Sequence, residues 1–186
     1  MTDLVVKSNK LVQALQTLNL NEARLLQLAI VDARETGQGL STEEPLELNA
    51  VRYAKAFNVS ADAAYLALSE AEDSLFKRQF TITNEDGTLT KSRWIQDANY
   101  RKGEGRILVT LTRVVIEHVT KIDGFEQYFT SYHLKKTADF KSVYAVRLYE
   151  LLMQWKAVGR TPAYELDRLR GQLGIGVNEY TRMEAF

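Results

Sequence analysis

The sequence contains no cysteine, and only two of its 186 residues are proline. Without cysteine there is no disulfide framework, no thiolate nucleophile and no cysteine-based zinc or iron–sulfur site. No run of 18 apolar residues occurs, so a membrane-spanning helix is not expected. The first ten residues lack the apolar centre of a secretion signal. We therefore expect a cytoplasmic protein without membrane contact.

The chain also lacks a net charge, but the two signs are unevenly distributed. Residues 1–75 carry 6 Lys and Arg against 11 Asp and Glu, a net −5, whereas residues 76–186 carry 18 against 13, a net +5. Contact with phosphate groups would favour the second part. Such a split also arises by chance, and it suggests a partner without identifying it.

Apolar residues at helical spacing predict two helices near the start. The first covers residues 4–18, and the second is capped by Asn19 and stops at Gly37. A polar loop through Pro45 follows. Both helices are expected to contribute to the core.

Two further helices are separated by only a few residues. Asn49 is a cap for a short helix over residues 51–57, and Ser60 caps a longer one. Helices joined only by residues 58–59 cannot lie antiparallel, so a wide crossing angle is expected. This arrangement is typical of a helix-turn-helix.

Beyond the helix-turn-helix the apolar period changes from 3.6 to 2. Phe80 and Ile82 mark a strand that ends in a turn over residues 84–87. Two more strands, over residues 94–100 and 107–111, form a hairpin. A hairpin after a helix-turn-helix indicates the wing of a winged helix.

The first unit is predicted to end near residue 134. A helix over residues 114–122 precedes a strand over residues 128–134, which could complete the sheet. The polar stretch 135–141 is a reasonable boundary. The interpretation is an α+β fold with a complete winged helix-turn-helix over residues 1–134.

The helix order then restarts over residues 135–186. Ser142 opens a strong helix that Gly159 ends, a short extended piece and a helix over residues 166–173 follow, and Tyr180 begins another helix. No stop signal closes this last helix before Phe186. We expect these residues to be the incomplete start of a second winged helix.

Several short segments resemble one family in the same order. Residues 142–152, SVYAVRLYELL, closely resemble the most recognisable segment of the iteron-binding Rep family of plasmid replication initiators. The further matches are residues 7–11 (KSNKL), 20–25 (LNEARL), 93–95 (RWI) and 129–132 (FTSY). The resemblance covers nearly the whole chain.

This resemblance implies plasmid replication initiation by a pair of winged-helix domains. The second domain would read tandem origin repeats, and the first would grip neighbouring DNA backbone and mediate dimerisation. The implied partners are duplex DNA, a second copy of the chain, and the host initiator, helicase and primase. Family members often repress their own gene as dimers. Most of the second domain's recognition helix and its wing have no counterpart up to Phe186.

The resemblance and the charge pattern together nominate DNA-binding residues. Arg182 is the candidate for reading a base, because residues from Tyr180 match the start of the family's recognition helix and arginine can bond guanine O6 and N7. Its alternative is a solvated surface arginine. Tyr180 could be a core anchor or a phosphate donor.

Five more candidates lie around the helix-turn-helix. Lys77 and Arg78 follow its second helix, and Lys91, Ser92 and Arg93 stand at the expected wing, so that both groups could meet phosphates flanking one groove. Ordinary solvation is the alternative for all five.

Other residues point away from catalysis. Arg147 is expected to have a structural role, pairing with Glu150 or with an acid across the core, rather than to contact DNA. His118 and His133 have no acidic ligand pattern nearby, and no glycine-rich loop followed by Lys and Ser or Thr occurs, so no metal, cofactor or ATP site is predicted. The first hypothesis is a non-enzymatic initiator. A winged-helix transcription repressor and a nicking enzyme are the alternatives.

Overall fold

The computed structural model describes residues 2–120 and 128–181. Its α-helices are α1 Asn9–Val12, α2 Leu20–Thr36, α3 Ala50–Phe57, α4 Ala61–Lys77, α5 Arg113–Val119, α6 Val143–Met153 and α7 Leu166–Leu173. Its strands are β1 Leu4–Ser8, β2 Leu15–Gln16, β3 Leu46–Asn49, β4 Gln79–Thr83, β5 Leu89–Arg93, β6 Ile95–Arg101, β7 Arg106–Leu111 and β8 Phe129–His133. A 3₁₀ turn, Leu134–Lys136, follows β8.

The strands form three small antiparallel sheets. Their strand orders are β1-β8, β2-β4-β5 and β3-β7-β6. The last sheet defines the winged helix, because β3 precedes the helix-turn-helix of α3 and α4, and the hairpin β6–β7 pairs with β3 through β7. The predicted α+β winged-helix fold is confirmed.

Local capping explains why the helix-turn-helix forms where the sequence predicts it. The Asn49 side chain accepts a hydrogen bond from the Arg52 amide at 2.7 Å, and the Ser60 hydroxyl accepts one from the Ala63 amide at 3.2 Å. Between the helices, Asn58 adopts a left-handed φ of 49° and ends α3. Short polar side chains at the helix ends therefore determine the short connection between α3 and α4.

Helix α2 lies at the centre of the apolar core. Asn19 and Glu22 form a reciprocal capping box at its start, and Gly37 ends it with a φ of 75°. Eleven of its residues are buried, so that it packs on nearly all sides. The predicted bounds of this helix are confirmed.

The helix predicted over residues 4–18 is wrong. The segment forms β1, the single-turn helix α1 and β2 instead. Val5 and Val6 belong to a strand that pairs with β8, and the Ser8 hydroxyl accepts the Leu11 amide at 3.1 Å to start α1. The apolar residues of the strand and the short helix happen to recur at the three- and four-residue spacing that is typical of a single amphipathic helix.

The expected pairing of the strands also needs correction. Strand β8 pairs with β1 and does not complete the wing sheet. An additional hairpin, β4–β5, precedes the wing and pairs with β2. Strand β3 lies between the predicted loop and the cap Asn49, where no element was predicted. Period-2 patterns indicate strands but do not identify partners.

The helices after residue 112 agree with the sequence in part. Helix α5 ends at Val119, and residues 121–122 of the predicted helix lie outside the described residues. Helix α6 ends at Met153, earlier than predicted, and turns follow as far as Gly159, whose φ is 76°. Helix α7 has the predicted bounds. Among the helices described, none is long and apolar enough to cross a membrane.

Candidate nucleic-acid interface

The structure brings five of the predicted site residues together at the base of the β4–β5 hairpin. Lys77 ends α4, Arg78 follows it, and the antiparallel register sets Lys91, Ser92 and Arg93 against the first residues of β4. We call these five residues the hairpin-base patch. Lys91, Ser92 and Arg93 lie on the hairpin that precedes the wing, so the position at the wing that was expected for these three is wrong.

Arg93 fastens the patch to the end of α4. Its guanidinium Nη1 donates to the Phe76 carbonyl at 2.7 Å, and its Cζ lies 5.0 Å from the centroid of the Phe76 ring. Both groups are exposed, and Arg93 keeps further N–H donors for a ligand. These contacts hold the Arg93 side chain in place without neutralising its positive charge, because neither partner is an anion.

The other members of the patch differ in how free they are. Lys77 is exposed and pairs with Asp73 at 2.6 Å, whereas Arg78 is two-thirds buried and donates to the Glu22 carboxylate at 2.8 Å. Lys91 is exposed and has no salt bridge within the described part of the chain. Of the three cations, Lys91 is the most available to a phosphate group.

Helix α4 occupies the second position of the helix-turn-helix, but its outer face is acidic. Asp62, Glu70 and Asp73 are exposed on it, and Lys77 is the one cation in its sequence. Carboxylates facing a groove would repel the flanking phosphates. Helix α4 is thus unsuited to groove insertion. Sequence reasoning missed this, although the run ADAAYLALSEAEDSLFK shows it directly.

The turn of the true wing, between β6 and β7, carries further cations. Arg101 and Lys102 are exposed there, while Arg106 forms salt bridges with Glu47 and Glu104. The wing turn therefore adds two exposed positive charges to the first unit. The sequence predicts this hairpin as the wing, and its pairing with β3 confirms that assignment.

Tyr180 does not begin a helix in the structure. It has a left-handed φ of 49° and is 70% exposed, and its ring meets the Tyr144 ring edge-on with centroids 6.1 Å apart. A left-handed residue cannot continue a right-handed helix. Arg182 lies outside the described residues, so its predicted role as a base reader stays a prediction.

A cleft of about 500 Å³ lies between the first unit and the segment from α6 onwards. Arg78 and Lys141 contribute its two cations, and Glu179 contributes a carboxylate. Tyr144 also lines it and connects it to Tyr180. Lys141 was not among the predicted site residues, because sequence alone assigned it to a boundary.

Arg147 is inside the protein, as the sequence predicts. Its Nη1 lies 2.6 Å from Glu150 Oε2, and both side chains are almost fully buried. The predicted pairing with Glu150 is confirmed, and a solvent-facing role for Arg147 is excluded by its burial.

The two histidines lie apart from the cations described above. His118 Nδ1 is 2.7 Å from the Ser8 hydroxyl, and burial lowers the pKa of its imidazole, with Lys10 acting in the same direction and Glu117 opposing. His133 Nδ1 is 3.0 Å from the Thr2 carbonyl oxygen. Among the described residues, no group of three His, Asp or Glu side chains could hold a metal ion.

Comparison with protein families gives one model that spans most of the chain. The model described as "Initiator Replication protein, WH1" matches residues 4–153. This range includes α6, which ends at residue 153. A curated relative, an uncharacterised 27.6 kDa protein of Escherichia coli, is 22% identical over 165 residues, which cover 83% of this chain and 68% of the relative.

Two solved structures are also similar. The Pi initiator protein, determined in complex with iteron DNA, superimposes with a TM-score of 0.67 at 16% identity, covering 92% of this chain and 73% of that one. At this level of identity the likeness shows a shared fold. The WH1 domain of MSBI1.176, a replication protein isolated from a multiple sclerosis patient, is 36% identical over 54% of this chain and 79% of that chain, with a TM-score of 0.47.

Proposed function

Because this chain belongs to the WH1 family of initiator replication proteins, we propose that it initiates plasmid replication by binding tandem repeats in the origin DNA. The observation that carries the proposal is the family match over residues 4–153. Family members are DNA-binding initiators rather than typical enzymes, so the protein would act by exposing the origin to the host initiator, helicase and primase.

We propose different DNA contacts for the two units. Residues 1–134 would contact the DNA backbone through the hairpin-base patch and the wing turn, and residues 135–186 would belong to the unit that reads the repeats. The acidic face of α4 supports backbone contact from the hairpins instead of groove insertion by that helix. Arg182 and Tyr180 keep their proposed place at the repeat-reading end.

Replacing Lys91 and Arg93 by Ala tests the backbone contact. Both substitutions remove exposed charge, so binding to every duplex should weaken alike, and the log–log salt slope should fall by about 0.9 for each phosphate that is no longer neutralised. Fluorescence anisotropy over a salt titration measures both quantities. Lys55→Ala combined with Arg113→Ala removes the same charge elsewhere. Equal decreases in affinity for the two double variants would show that the patch does not touch DNA.

The proposed role in initiation has its own test. A plasmid that carries the cognate repeats should replicate in a host that receives only this gene, whereas a plain repressor would not support it. Supercoiled plasmid incubated with the protein and a divalent metal should stay uncut. Cleavage there would contradict the non-enzymatic proposal.

We also propose a homodimer formed through the first unit, which could repress the protein's own gene. The edge of β6 is partly closed, since the Tyr100 amide donates to Glu72 of α4 at 3.2 Å. The outer edge of β5 and the exposed face of α4, where Leu66 is 56% exposed, are the two surfaces that we propose for the contact. Sedimentation of Lys91→Pro and Leu66→Ser variants over a concentration series would identify which surface is used; if the parent chain stays monomeric at tens of micromolar, the dimer is excluded.

A further inference from the structure

Three of the segments that carry the family resemblance meet inside the molecule. Lys7 comes from residues 7–11, Tyr132 from residues 129–132, and Arg147 and Glu150 from residues 142–152. None of these four side chains is available to DNA, because each is at least nine-tenths buried. Their common role must therefore lie within the protein.

Glu150 is the centre of this group, which we call the Glu150 cluster. Its Oε1 lies 2.6 Å from the Lys7 ammonium and accepts a hydrogen bond from the Tyr132 hydroxyl at 2.6 Å. Its Oε2 accepts from Arg147 Nη1 at 2.6 Å. One carboxylate thus joins β1, β8 and α6 through three charge-assisted hydrogen bonds.

Arg147 extends the connection to the segments on either side. Its Nη2 donates to the Val12 carbonyl at 2.7 Å, and its Nε donates to the Gln172 carbonyl at 3.1 Å. Gln172 in turn donates from its side-chain amide to the Gln13 carbonyl at 3.2 Å. Helices α6 and α7 are therefore tied to the chain around α1 by directional bonds.

The contact between α6 and the first unit is partly polar, and this affects how tightly the orientation of α6 is fixed. Hydrophobic attraction itself has no preferred direction, whereas a buried carboxylate with three donors is fully hydrogen-bonded in a narrow range of geometries. The outward face of α6 adds no comparable restraint, since Leu148 and Leu152 remain 44% and 49% exposed. The inner face of α6 packs through the buried Val146 and Leu151, and the Glu150 cluster adds directional bonds to that packing.

We propose that Glu150 is a positioning residue that holds the repeat-reading unit at one angle to the first unit, so that their DNA contacts lie at a fixed spacing. This inference rests on the proposed function for its DNA part. The spacing would then be a property of the folded chain before it meets DNA, which lowers the ordering required on binding.

Spin-label distances test the positioning directly. The chain has no cysteine, so Val51→Cys on α3 and Arg168→Cys on α7 give two unique label sites. We expect one narrow distance distribution in the parent chain. Glu150→Gln should broaden it by about twofold or add a second peak, because the cluster then leaves two buried cations without their carboxylate.

Two controls separate positioning from general loss of structure. A label pair at Val51→Cys and Glu70→Cys, both within the first unit, should keep its distribution when Glu150→Gln is added. Glu117→Gln, which removes an exposed carboxylate paired with Arg113, should leave the Val51–Arg168 distribution unchanged. Where Glu150→Gln does not fold, Tyr132→Phe removes one donor and keeps the ring. A folded variant of Glu150 or Tyr132 with the parent distribution would overturn the proposal.

Binding to duplex DNA tests whether the position of α6 sets the spacing of the DNA contacts. If the two DNA-binding surfaces are held at fixed spacing, Glu150→Gln should lose at least tenfold in affinity for a duplex long enough for both units, yet bind a short duplex that reaches only the first unit as the parent does. Unchanged affinity for the long duplex would overturn the link to DNA. A parent chain that binds neither duplex would contradict the proposed function, while the spin-label result would still decide whether Glu150 positions α6.

Discussion

The Glu150 cluster and the hairpin-base patch use the same kinds of side chain for opposite purposes. In the cluster, Lys7 and Arg147 are buried and form salt bridges with Glu150. In the patch, Lys91 and Arg93 are exposed and keep their charges available. A charged motif in a sequence therefore indicates a binding site only when its burial is known, because burial decides whether the partner is internal.

The largest effect should come from removing the carboxylate of the cluster. Glu150→Ala leaves Lys7 and Arg147 buried without a counter-charge, so we expect a decrease of about 3–5 kcal/mol in the free energy of unfolding. Urea denaturation of the parent and the variant measures the difference. A decrease of less than about 1 kcal/mol would mean that water reaches the cluster and that the contrast with the patch is false.

Acid should weaken the cluster by protonating Glu150. Burial alone would raise the pKa of Glu150, but Lys7, Arg147 and the hydrogen bonds from Lys7 and Tyr132 together hold it at about 2, below its ordinary value of 4.5. Because the folded pKa is depressed, the stabilisation is complete above pH 4.5 and is lost as the pH falls towards 2.

Melting temperatures recorded from about pH 6 down to about pH 2 measure this change. The parent should lose more stability over this window than Glu150→Gln, which has no carboxyl group to protonate. Parallel curves for the two proteins would show that Glu150 titrates normally in the folded state.

The smallest effect is expected at the patch. Asp73→Asn breaks the exposed pair with Lys77, and exposed pairs one helical turn apart contribute only about 0.3–0.5 kcal/mol. The same urea experiment should therefore place this variant near the parent, and added salt should remove the remaining difference. A decrease of more than about 1 kcal/mol would indicate that the patch, too, is part of the structural framework.

Local signals allowed part of this fold to be predicted from sequence. Asn19, Asn49 and Ser60 are capping residues whose partners lie three positions away, so that the helices they start could be placed correctly. The Arg147–Glu150 pair was also accessible, because residues three apart share a helix face.

Long-range pairing could not be predicted. Strand β1 looked helical because its partner β8 is more than 120 residues away, and nothing in residues 4–8 identifies that partner. The β4–β5 hairpin is local, but its second strand was not predicted, and Lys91, Ser92 and Arg93 were therefore assigned to the wing that follows. Lys7 and Tyr132 gave no sign of their role, since it depends on Glu150.

The pairing of β1 with β8, and of Lys7 with Glu150, affects how the chain folds during synthesis in the cell. Lys7 and Glu150 are 143 residues apart, and ribosomes add about 5–20 residues per second, so roughly 7–30 s separate the appearance of the two partners. During this interval Val5 and Val6 have no strand to pair with. The β1 segment is thus among the last to become folded, and its apolar residues are exposed to nascent-chain chaperones until β8 has left the ribosome.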